Sequence, residues 1–189
     1  MQGELERYND IIQNQLSQGT VEGADEVVKD ERDWYIPQNA VVRQNAESTK
    51  MYIVYDASGR AYASVPSRNE CLEIGPPLQN QLWNVQIRNR FYPVVIAGDL
   101  KQAFLQICVR GEVRDALRFH WLKDLASKQV ETLRFTRVLF GLAPSPFLLA
   151  AVIKQHLQRY KIVLRTSRGN RAQHVRRRLI SGGETTKQA

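Results

Sequence analysis

Tyr92-Pro93-Val94-Val95-Ile96-Ala97-Gly98-Asp99 reads as a short apolar strand that stops at a glycine and a single carboxylate. A continuous apolar run of this length suits a buried strand. A carboxylate at the end of such a strand is costly to bury alone. Asp99 therefore either caps the turn that follows or faces a cation. Mg²⁺ fits that position, because it takes hard oxygen ligands and commonly keeps phosphate oxygens as partners. A pair of such ions can activate an attacking hydroxyl and stabilise the leaving oxygen in phosphoryl transfer. One carboxylate is too few for that chemistry, so Asp99 alone leaves both readings open.

Working upstream, the spacing predicts a helix from Leu78 to Arg90, with Leu78, Leu82, Val85 and Ile87 toward the core. Residues 57–77 are rich in Ser, Gly, Pro and Asn and read as loop. Before them, Ala40-Val41-Val42 and Lys50 to Asp56 flank a polar turn and form a hairpin. Leu5, Tyr8, Ile12 and Leu16 line one side of a helix over residues 3–17, and the acidic stretch from Glu22 to Asp33 reads as a solvated connector. Downstream, Leu100 to Ile107 has helical or turn spacing. Leu117 to Leu122 and Glu131 to Val138 alternate as half-buried antiparallel strands do, joined by Lys123 to Lys128. Gly141 to Pro146 is a turn. Ser145-Pro146 opens a helix whose apolar side is Phe147, Leu149, Val152, Ile153, His156, Leu157 and Tyr160. This order predicts an α+β fold, an antiparallel sheet with packed helices, rather than a doubly wound parallel sheet. Three segments follow: an N-terminal helix and acidic connector (1–33), a folded region (34–160) and a basic tail (161–189).

The chain has 189 residues, 43% apolar and 24% charged, which is enough for an ordinary domain with one core. No run of about 18 apolar residues occurs, and Met1-Gln2-Gly3-Glu4 lacks the apolar core of a signal peptide. No membrane partner is expected, and a cytosolic or nuclear location is the default. Cys71 and Cys108 have no second Cys or His at metal-ligand spacing and read as reduced thiols. His120 and His156 are expected to be partly buried structural residues, and Trp34, Trp83 and Trp121 core residues. Of the net charge of +8, all but one unit is accounted for by seven cations between Lys161 and Arg178, a stretch with no acid. The charge belongs to one segment and by itself argues weakly for a nucleic-acid partner.

Four blocks, in order over about residues 7 to 160, carry a resemblance. Val94 to Phe104 resembles the first catalytic motif of reverse transcriptases: an apolar strand, an Asp, and an aromatic five positions on. Phe135-Thr136-Arg137-Val138-Leu139-Phe140-Gly141-Leu142-Ala143-Pro144-Ser145-Pro146-Phe147 resembles their next motif. Thr49-Lys50 with Ile53-Val54-Tyr55-Asp56-Ala57-Ser58 resembles the fingers hairpin that faces the incoming triphosphate. Asn69-Glu70-Cys71-Leu72-Glu73-Ile74-Gly75-Pro76-Pro77-Leu78 is similar to the Pao/BEL group of long-terminal-repeat retrotransposons.

The resemblance implies a right-hand polymerase fingers region with part of a palm, working on a primer–template of RNA or DNA, with deoxynucleotide triphosphates and Mg²⁺. It makes Asp99 a metal ligand and puts the backbone of Leu100 beside the metal. Phe104 would lie under the sugar of the nucleotide, where a ring leaves little room for a 2′-hydroxyl; the plainer alternative is a core Phe. Phe140 would stand beside the nucleotide, the alternative again being core packing, and Gly141 would let the backbone come close. Ser145 and Pro146 would set the helix supporting the template, and Lys50 would meet the triphosphate as a point charge. Asp56 reads as structural, holding the hairpin. Two positions after Lys50 the family pattern has an Arg, and this chain has Tyr52, which offers no guanidinium fork to phosphate.

The family's second catalytic block, Tyr-x-Asp-Asp on a hairpin, is missing. No Asp follows Asp124. In the expected place stands Gln173-His174-Val175-Arg176-Arg177-Arg178, and then Leu179-Ile180-Ser181-Gly182-Gly183, the run expected just after such a hairpin. A family-like Asn-Met-Tyr-Val-Asp-Asp encoded AAC ATG TAC GTC GAC GAC becomes CAA CAT GTA CGT CGA CGA when a preceding C enters the frame. That spells Gln-His-Val-Arg-Arg-Arg. The basic tail is then a reading-frame scar rather than a phosphate-binding segment, the alternative being a functional basic stretch. Arginines in place of carboxylates would repel Mg²⁺, so a catalytically incomplete fragment is expected. Two other classes stand beside it: a non-catalytic nucleic-acid-binding module derived from a retroelement, and an unrelated phosphotransfer domain using a strand-end Asp.

Overall fold

The computed structural model describes residues 2–25, 27, 34–45, 48–124, 128–159, 173–175 and 178–183. The elements in chain order are α1 (Gln2–Ser17), β1 (Val21–Gly23), β2 (Gln38–Asn45), β3 (Ser48–Tyr55), α2 (Leu82–Asn89), β4 (Val94–Asp99), β5 (Arg118–Asp124), β6 (Gln129–Phe135), α3 (Ser145–Arg159), β7 (Gln173–Val175) and β8 (Arg178–Gly183). Turns of 3-10 helix cover Arg68–Cys71, Ala103–Gln106 and Gly111–Leu117. All strand pairs within these sheets are antiparallel, so the α+β class is as expected. Two compact units divide the chain: Met1–Glu73 with Cys108–Leu142, and Ile74–Ile107 with Ala143–Ala189.

In the first unit, the sheet of order β1-β6-β5 stacks its inner residues with α1 and the hairpin β2–β3. Phe119, Leu133 and Phe135 from the sheet, Ile12 from α1 and Val21 from β1 are all nearly inaccessible to solvent. Tyr55 meets Phe119 and Phe135 edge-on, with ring centroids 5.2 and 4.7 Å apart. Such geometry lets the positive ring edge meet a negative face. Tyr8 lies flat on Trp121 at 4.9 Å. Burial pushes the Tyr8 hydroxyl up to about 12, and burial, with Tyr8 nearby, raises that of Tyr55 further.

The acidic stretch expected as a solvated connector opens as a strand, and residues 26 and 28–33 of it lie outside the described residues. Val21-Glu22-Gly23 is a strand, pairing with Phe135, Arg134 and Leu133 of β6. Its charged middle residue is not solvated alone: Glu22 accepts from Arg134 Nε at 2.8 Å and from Arg114 Nη1 at 3.0 Å. Arg118, fully buried, donates from Nε and Nη2 to Asp115 Oδ1 at 2.9 and 2.8 Å. Its Nη1 reaches the Asp25 carbonyl at 3.1 Å. Arg134 Nη1 binds the same Asp115 oxygen at 2.7 Å. A buried guanidinium is tolerable only with this kind of pairing. Burial by itself would raise Asp115, but hydrogen bonds from Arg134 and Arg118 outweigh it and hold the carboxyl below its usual range.

In the second unit, β4 pairs with β8 and β8 with β7, giving the order β4-β8-β7. Residues 173–175 and 178–183 of the basic segment thus contribute strands. The expected buried strand at 92–97 is a strand at Val94–Asp99, but its Val95 and Ile96 are exposed. An apolar run records affinity for a cover and does not supply one. The helix predicted from Leu78 begins at Leu82, after Pro76-Pro77 and an extended Gln81. Only Val85 on it is buried, while Leu82, Trp83 and Ile87 are exposed, so Trp83 is no core residue. His120 and His156 are exposed rather than partly buried, and His120 stacks on Tyr35 at 4.4 Å. On α3, Leu149 and Ala150 are buried and Val152 is exposed; Tyr160 lies outside the described residues.

Candidate functional site

The residues singled out by sequence fall into both units, and each group is described within its own. In the second unit, Asp99 is the last residue of β4, exposed, with Arg178 as its register partner across β8. Leu100 follows, half-buried. Gln102 takes a left-handed conformation, φ 50°, and starts the 3-10 turn Ala103–Gln106. This turn carries Phe104, half-buried, and packs against α3. Ser145 is already inside α3 and only 1% exposed. The Leu148 amide donates to Pro144 O at 3.0 Å, so the helix begins one residue earlier than a Ser145 cap implies. Pro146 is exposed, and its carbonyl accepts from Gln79 Nε2 at 3.4 Å. Asp99 and Leu100 thus lead directly into the turn that holds Phe104, and that turn rests on the helix that Ser145 and Pro146 open.

The first unit holds the others. Lys50 lies in β3 with Arg43 as its register partner; its side chain is outside the described residues. Tyr52, where the resemblance expects Arg, pairs with Val41 and is exposed. Asp56 does hold the end of the hairpin. Its amide donates to Pro37 O at 2.8 Å and its Oδ1 accepts from the Ser58 amide at 2.9 Å. Phe140 and Gly141 form a turn between buried Leu139 and Leu142. Gly141 has φ +97°, a conformation open mainly to glycine. A β-carbon there would stand 3.6 Å from the Tyr55 carbonyl, ordinary contact, so the glycine answers a backbone need rather than lack of room. Phe140 is 81% exposed, which removes core packing as its explanation.

Asn69, which the sequence motif leaves without a role, links two loops. Its Nδ2 donates to Gly141 O at 2.9 Å and to Ser58 Oγ at 3.0 Å. Three of the four sequence blocks, those ending in Ser58, beginning at Asn69 and centred on Gly141, therefore meet in one side chain. A hydrogen bond spanning 72 residues leaves no periodic signal in the sequence.

Asp99 is exposed, with Arg178 as its register partner, and among the described residues no three His, Cys, Asp or Glu side chains gather as possible metal ligands. Among those residues, no helix is long and apolar enough to cross a membrane. The chain matches no protein-family model and none of the curated proteins with which it was compared.

Proposed function

We propose that this chain is the fingers and first part of the palm of an RNA-directed DNA polymerase of the Pao/BEL retrotransposon type, catalytically incomplete by itself. The supporting observation is the sheet order β4-β8-β7. A hairpin bearing the missing Tyr-x-Asp-Asp would have to run beside the strand of Asp99. The segment standing in its place does so, with Val175 the register partner of Arg178 and Arg178 that of Asp99. An intact enzyme of this kind joins a primer 3′-hydroxyl to the α-phosphate of a deoxynucleotide triphosphate and releases pyrophosphate. Here Arg176, Arg177 and Arg178 occupy the positions of two of the required acids and their neighbour, and positive charge there opposes a divalent cation.

The purified chain, given primer–template, deoxynucleotides and Mg²⁺, is expected to extend no primer. Extension that Asp99→Ala abolishes would overturn incompleteness. Replacing Arg177 and Arg178 together by Asp is expected to create Mn²⁺ binding measurable by calorimetry, sensitive to Asp99→Ala. No binding in that folded variant argues against the polymerase ancestry. Sequencing the transcript over codons 160–180 tests the scar: absence of a frame encoding Tyr-x-Asp-Asp rules it out.

The exposed Phe140 favours a second reading, a nucleic-acid-binding module without catalysis. Salt-dependent affinity for primer–template that survives Asp99→Ala supports it.

A further inference from the structure

We propose that Asn69 is a positioning residue: its side-chain amide fixes the Phe140–Gly141 turn and so the direction in which the Phe140 ring is offered to a ligand. Leu139 and Leu142, both buried, anchor the ends of the turn in the core. Gly141 has φ +97°, a region glycine enters readily, and the ring before it is 81% exposed. The bond from Asn69 Nδ2 to Gly141 O, 2.9 Å long, supplies the restraint from the side. The second amide proton goes to Ser58 Oγ at 3.0 Å, which aims the amide.

Asn69 is itself held firmly. Its backbone N–H donates to Ala57 O at 3.0 Å. It lies in the 3-10 turn Arg68–Cys71, closed by the Ser67 amide donating to Glu70 Oε2 at 2.7 Å and by an ion pair between Glu70 and Arg60. Those bonds from the Ser67 amide and side chain, then Arg60, keep the Glu70 carboxyl below its ordinary range. The chemistry requires asparagine. Two donors on one short planar group serve two acceptors at once; aspartate has none when ionised, and serine has one.

The local claim stands on geometry alone; the claim about ligand rests on the nucleic-acid-binding reading given under the proposed function, in which Phe140 stacks on a base. Both can be tested in the full chain with 4-fluorophenylalanine at its six Phe positions, the Phe140 signal being assigned with Phe140→Leu. In ¹⁹F spectra, Asn69→Asp is expected to shift and broaden the Phe140 signal while the buried Phe119 and Phe135 signals stay in place. An unmoved Phe140 signal overturns the proposal. If Phe119 and Phe135 collapse as well, Asn69→Ser, which reaches one acceptor at most, is used instead, and an unmoved signal there has the same force. The second arm uses a duplex with a recessed 3′ end and fluorescence anisotropy. Asn69→Asp is expected to weaken binding about tenfold, as losing one base–aromatic stack does. The double variant with Phe140→Ala should lose no more than Phe140→Ala alone; fully additive losses overturn the positioning role. A wild-type chain that ignores the duplex refutes the nucleic-acid-binding reading, and the ¹⁹F arm still decides the local claim.

Discussion

The ring of Phe147 lies against the backbone of Gly75: a β-carbon added there would come within 2.5 Å of Phe147 Cγ and 2.6 Å of Cδ1. Gly75 also has φ +78°. The loop before α2 is thus keyed to the first turn of α3, both in the second unit. Gly75→Ala should cost about 3 kcal/mol, from the left-handed backbone and from overpacking together. In a Phe147→Ala background the same change should cost only about 1 kcal/mol, the backbone part. Urea unfolding followed by circular dichroism measures both, and equal costs in the two backgrounds would show that the ring contact is energetically empty.

Asp115→Ala leaves fully buried Arg118 without its carboxylate and should destabilise the first unit by about 3 kcal/mol. Because the folded carboxyl titrates below its unfolded value of about 3.9, its contribution is complete above that pH and fades as pH falls through the lower folded value. The melting temperature should therefore fall below about pH 4 in wild type, and less steeply in Asp115→Asn. Parallel curves for the two proteins in that range would exclude Asp115 as a source of acid sensitivity.

At the exposed turn the two neighbours should behave oppositely. Phe140→Ala should change stability by less than about 0.5 kcal/mol, since little of the ring is buried. Gly141→Ala should cost about 1–2 kcal/mol through its positive φ, although the space is open. A large loss from Phe140→Ala would mean that the ring packs in solution.

Periodicity revealed α1, the β2–β3 hairpin, the β5–β6 pair and α3, because each has an apolar face repeating over several residues. It missed β1, where three residues give no period and Glu22 looks solvated until Arg114 and Arg134 arrive from elsewhere in the chain. Buried Arg118 was equally hidden, since charge in sequence says nothing about which counter-ions fold brings near. At the candidate site, Asp99 and Gly141 were legible as motif residues. Asn69 was not given its task, because that depends on where two loops pass each other.

Both remaining thiols are exposed and unpaired with each other. A native-state titration with a thiol reagent should count both Cys71 and Cys108 without denaturant. A count that rises only on unfolding would contradict their exposure.

The strand that carries Asp99 finds its neighbour about eighty residues later, in Arg178–Gly183. During vectorial synthesis the first unit has all its residues once Leu142 has left the ribosome and can fold as translation continues. The apolar strand ending at Asp99 must wait, edges bare, until the last strand emerges. A stalled ribosome or premature stop between those points would release a chain with one finished unit and one sticky, unpaired edge, a natural substrate for chaperones and proteases.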